Sequence, residues 1–134
     1  MGSSFDTKTL VVNLGDPGGA KELKVLRAPS DSAGGGITIV EAYAVNHAAT
    51  SAGTSFSLGL QRFSAAGTPV VNGTIAPAVG GTASPWADGV PKKFTLDGDY
   101  TSLDAGEYLV IDYAEQTSGN PTNCYVTVHY LLGR

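Results

Sequence analysis

Short runs that alternate apolar and polar residues, separated by clusters of glycine and proline, leave this chain few ways to fold. Thr54–Phe63 shows the pattern most clearly: Phe56, Leu58 and Leu60 fall on one side, with Ser55, Ser57, Gly59 and Gln61 on the other. A period of two belongs to a strand with one face on a core and the other in water. The 18 glycines and 7 prolines among 134 residues gather between such runs, which is how turns punctuate an all-β domain. No segment sustains a helical period. Lys21–Arg27 comes nearest, with Leu23, Leu26 and Arg27 at helical spacing, but it is short and flanked by breakers, so a strand is expected there.

Eight runs are predicted as strands: Thr7–Leu14, Glu22–Ala28, Ile37–Asn46, Thr54–Phe63, Val70–Ala76, Lys92–Leu96, Glu107–Tyr113 and Asn123–Leu132. In the first, Leu10, Val12 and Leu14 share one face. Ile37–Asn46 is apolar on both faces, which predicts a strand covered on both sides. Residues 77–91 read as one long loop around Trp86, and 97–106 as a polar connection. About eight short antiparallel strands make a β-sandwich, and the long crossover favours a jelly roll over an up-and-down barrel. The length suits one domain over residues 1–134, with 1–8 a candidate N-terminal arm.

Charge narrows the function. Only 15% of residues are charged and the net charge is -4. The basic residues are scattered, and the densest group, Lys21, Lys24 and Arg27, encloses Glu22. Nucleic-acid binding rests on clustered lysine and arginine, so it is not expected. The apolar runs are too short to span a bilayer, so no membrane partner is expected either. The single cysteine, Cys124, lies in an apolar strand-like run and is read as a buried, inert thiol.

Catalytic chemistry finds little to work with. His47 and His129 stand alone on separate strands, without the short spacing of a metal triad. Asp97, Asp99, Asp104 and Glu107 are close in sequence and could supply oxygens to calcium. Their spacing is not that of an EF-hand, and turn formation explains the same residues. No enzyme activity and no cofactor are expected. Trp86 has two readings: an exposed anchor for a partner, or a plug for one end of the sandwich.

Three stretches carry a resemblance to a known group of proteins. They are Ile37–Asn46 with the turn Ser51-Ala52-Gly53-Thr54, then Gly80–Trp86 running into Val90–Leu96, and Leu103–Val110 with the closing strand that ends Val128-His129-Tyr130. Together they resemble the jelly-roll decoration, or cement, proteins of tailed bacteriophages. The resemblance implies a virion structural protein assembled in the host cytoplasm. It would sit as a homotrimer on the outer capsid surface and stabilise the shell by bridging major capsid proteins. Partner contact is expected at Phe5, Thr7, Lys8 and Leu10, within a stretch Met1–Leu14 that would reach a neighbour, and at Trp86. The competing expectation is a carbohydrate- or receptor-binding module of a phage tail or head fibre, using Trp86 or an ion held by the Asp97–Glu107 group.

Overall fold

The computed structural model describes residues 7–15, 17, 19–30, 36–51, 53–98, 101–115 and 120–133. Among them are nine strands and no helix: β1 (Lys8–Asn13), β2 (Lys21–Arg27), β3 (Ile37–Val45), β4 (Phe56–Phe63), β5 (Pro69–Gly80), β6 (Lys92–Lys93), β7 (Ser102–Leu103), β8 (Tyr108–Glu115) and β9 (Tyr125–Leu132). They form two sheets, all of whose pairings are antiparallel. One has the order β1-β9-β3-β6, with β7 also on β3; the other is β2-β8-β4-β5.

The pairing is nested. β1 meets β9, β2 meets β8, β3 meets β6 and β7, and β4 meets β5. The chain is thus one long hairpin whose tip is the turn at Ser64–Thr68, closed by the Ser64 N–H on the Thr68 carbonyl at 2.6 Å. Rolled up, it brings β9 against β3 and β8 against β4, which makes the eight-position jelly roll. The two fragments β6 and β7 share one strand position along β3. Phe56, Leu58, Leu60, Leu109, Ile111 and Tyr113 fill the core from one sheet, and Ile37, Ile39, Val126 and Val128 from the other. Each such burial contributes about 1.5–3 kcal/mol relative to exposure.

β4 and β1 follow their alternation. Leu10, Val12 and Leu14 turn toward the core, while Thr9, Val11 and Asn13 face water. β3 departs from the expectation of burial on both sides. Its register shifts between Ile39 and Glu41, so Val40 is an extra residue in the ladder. Ile37 and Ile39 point inward before the bulge and Ala42 and Ala44 after it, while Tyr43 and Val45 stay only partly covered. Two phases of one inner face had looked like two apolar faces. The predicted 77–91 loop is also shorter than expected, because β5 runs on through Pro77 to Gly80. β5 lies at a sheet edge, where a proline lacking its N–H is tolerated. Within the polar connection, β7 places Leu103 fully in the core.

Candidate interaction surface

Each end of the sandwich is closed from within. At one end the Trp86 side chain is only 1% exposed. Its ring stacks on Phe56, with centroids 4.9 Å apart and planes 14° apart, and its Nε1–H donates to the Phe56 carbonyl at 2.8 Å. Reciprocal bonds fix the backbone there: Trp86 N–H donates to Thr50 Oγ1, and Thr50 N–H donates to the Trp86 carbonyl, both at 2.8 Å. Buried Asn46 ties in one more loop, donating to the Ala48 carbonyl beside Thr50 and accepting from Thr122 N–H. Trp86 therefore plugs the sandwich and offers no anchor, which corrects its placement among the partner-contact residues.

At the other end Arg62 reaches Glu107 Oε1 at 2.8 Å and Asp104 Oδ2 at 3.7 Å. Glu107 Oε1 also accepts the Asp104 N–H at 2.7 Å. The guanidinium stands beside these two carboxylates, where an ion had been considered, and the Asp104–Glu107 turn is held by the chain's own cation. Asp97 is fixed by its backbone, N–H to the Ile75 carbonyl at 2.7 Å, and Asp99 lies outside the described residues. Among the described residues no three His, Cys, Asp or Glu side chains gather to hold a metal. Cys124 is fully buried, and burial pushes its thiol up from 9.0 to about 12, so it stays protonated and unreactive at neutral pH.

A hollow of about 410 Å³ lies between β5 and β6, lined by Ala78, Val79, Gly80, Ser84, Lys92 and Lys93, and it is open to solvent. Lys92 is already committed there, donating to Ser84 Oγ at 2.8 Å with its ammonium 5.5 Å from the centre of the Trp86 ring.

The two outer faces of the sandwich differ. On the β2-β8-β4-β5 sheet, outward-facing Phe63 and Val110 are 4% and 0% exposed although neither belongs to the central core. Lys24 lies over Phe63 and Tyr108, its ammonium 5.5 Å and 5.9 Å from their ring centres, and Arg27 lies 5.3 Å from the Tyr108 ring centre. Long aliphatic stems laid across a sheet cover apolar area while their charged ends stay hydrated.

Among the described residues, the outer side of the opposite sheet has no such cover. Its outer side presents Val11 from β1, Tyr125, Thr127 and His129 from β9, and Tyr43 and Val45 from β3. Val11 is 57% exposed and Tyr125 37%. Among the described strand residues that face outward there, the charged side chains are Glu41 and Lys93, 3.9 Å from each other. His129 Nδ1 is 3.0 Å from Thr9 Oγ1, and its ring centre is 6.0 Å from that of Tyr43; His47 sits edge-on to Tyr125. The two histidines thus belong to one tyrosine-lined surface. Of the residues expected to touch a partner, Thr7 is exposed and Lys8 half-buried, Leu10 turns inward, and Phe5 lies outside the described residues with the rest of 1–6. Val11 and Tyr125 are exposed on this side, where Leu10 and Trp86 are turned inward. The alternation that puts Leu10, Val12 and Leu14 on one face leaves Val11 on the other; the register that sets it beside Tyr125 and Tyr43 is a property of the fold.

No protein-family model and no curated protein matches the chain. Among solved structures it is similar to a chain from the "Structure of infectious bursal disease virus Gx strain". The similarity covers 98% of this chain and 38% of that one, at 11% identity and a TM-score of 0.38, so this chain spans under two-fifths of its neighbour's length.

Proposed function

We propose that the chain is a virion structural protein of the capsid decoration type, which binds the outer surface of a shell and stabilises it by bridging major capsid proteins. One observation carries the reading: among the described residues the outer side of β1-β9-β3 groups Val11, Tyr125, Tyr43 and Val45 beside the Glu41–Lys93 pair, while on the opposite face Lys24 and Arg27 lie over Phe63 and Tyr108. Exposed apolar surface grouped in this way marks a place of contact with another protein. The closed ends and the committed Lys92 leave the work to that surface. The glycan-binding alternative loses the aromatic residue it rested on, since Trp86 is inside.

Co-expression with the major shell protein of the same genome tests this. The chain should co-sediment with assembled shells and raise the temperature at which they open. Tyr125→Glu, on the middle strand of the face, should lower the bound fraction at least tenfold while leaving the chain's own melting temperature within a few degrees, since surface changes move stability by about 0.5 kcal/mol. Shells that sediment without the chain would end the proposal.

A further inference from the structure

A β-sandwich has exposed strand edges, and each is a template for another strand unless something blunts it. Three of the edges here are blunted. β2 carries Lys21, Glu22, Lys24 and Arg27 and is bulged between Lys24 and Leu26. β5 shifts register three times, contains Pro69 and Pro77, and holds Asn72 at a φ of 56°. β6 and β7 are two residues each. β1 has none of these devices. Its ladder with β9 runs unbroken from Lys8 to Asn13, without glycine, proline or bulge, and Lys8 is its one charge. Among the described residues no strand pairs with its other side.

The phase of the ladder says which groups point to that side. Leu14 N–H donates to the Cys124 carbonyl at 3.0 Å, and these residues continue the β1–β9 register. Hydrogen-bonded and non-bonded pairs alternate along an antiparallel ladder. Lys8, Leu10 and Val12 therefore bond to β9, and Thr9, Val11 and Asn13 aim their N–H and C=O groups at the open edge.

We infer that this edge pairs with the β1 of a second copy of the chain, antiparallel and centred on Val11. In that register Val11 faces Val11, and Thr9 faces Asn13. It is the register that sets all three outward-bonding residues of the strand against one another, so each facing pair exchanges both its bonds. The side chains agree as well: inward Leu10 meets inward Val12, and the exposed Val11 side chains cover each other. Lys8 falls opposite Leu14 and not opposite its own copy, so no like charges meet. The two apolar faces become one continuous surface across the dyad. The inference concerns the free chain and stands apart from shell binding; it favours a two-fold contact where the resemblance implied three copies.

Sedimentation of the purified full chain, alone, tests it. The expected mass is twice that of one chain, with the Val11 amide protected from hydrogen exchange. Val11→Pro removes an N–H that points away from β9, so it should halve the mass and leave the circular dichroism of the sandwich unchanged. Should that variant fail to fold, Val11→Lys sets two ammonium groups face to face and should likewise halve the mass. Tyr125→Glu, which affects shell binding, should keep the doubled mass. A wild-type mass of one or three chains overturns the inference, as does a doubled mass retained by a folded Val11 variant.

Discussion

Gly80 has no room for a β-carbon. One built on it would lie 2.6 Å from Trp86 Nε1 and 2.6 Å from the Phe56 carbonyl oxygen, on a backbone with φ of 87°. Gly80→Ala should therefore displace the indole and strain the backbone, costing about 3 kcal/mol or more in chemical denaturation. Trp86→Ala should cost about 3–5 kcal/mol by leaving a cavity against Phe56. Trp86→Phe should cost markedly less than Trp86→Ala, because the ring stack survives and the Phe56 carbonyl still accepts the Gly81 N–H at 2.8 Å. Sequence marked Trp86 as the residue to watch but left its direction open. A tryptophan among glycine, serine and proline reads the same whether its loop swings out or folds back. The direction comes from Thr50 and Phe56, both distant in the chain. Arg62 was missed for a similar reason: on β4 it reads as one more residue of an alternating strand, and its role appears only when Asp104 and Glu107 come round to meet it.

At the level of the strand, legibility followed regularity. β1, β4 and β9 keep one phase, so their inner faces could be named from residue order alone. β3 changes phase at Val40, and a reading that assumes one period must then see apolar residues on both sides. β5 is an edge strand that departs from regular pairing repeatedly, so its proline and glycine looked like a loop. The bulge makes a sharp prediction. Deleting Val40 leaves Ile37, Ile39, Ala42 and Ala44 in strict alternation, all still inward, so the variant should fold with a loss of only a few degrees in melting temperature. Deleting Ala42 instead turns Tyr43 toward the core and Ala44 away from it, and cooperative unfolding should be lost. Thermal melts of the two deletions, equal in length and two positions apart, distinguish a bulge from a plain strand.

Across the whole molecule, the number of strand positions was readable and their partners were not. Eight runs occupy eight places in the jelly roll, but nothing local says that the first pairs with the last. The same holds for the interaction surface, because both outer faces mix polar and apolar residues in sequence, and only the reach of Lys24 and Arg27 across one of them makes them unlike. Nested pairing also sets how the chain must fold. β9 lies between β1 and β3, so the sheet cannot form until the C-terminal strand arrives. Pairings this distant close slowly, and refolding should take on the order of milliseconds to seconds. A chain cut before Tyr125 should fail to fold, as read by the absence of a cooperative denaturation transition.

Because Lys8 lies directly across from Tyr130, the start of the first strand and the finish of the last leave the body at one corner, remote from the Trp86 plug. A passenger attached directly ahead of Lys8 or after Leu132 would hang from the same spot. A short linker joining Leu132 to Lys8, with a new opening cut at Ser64–Thr68, would produce a circularly permuted chain that traces the same two sheets.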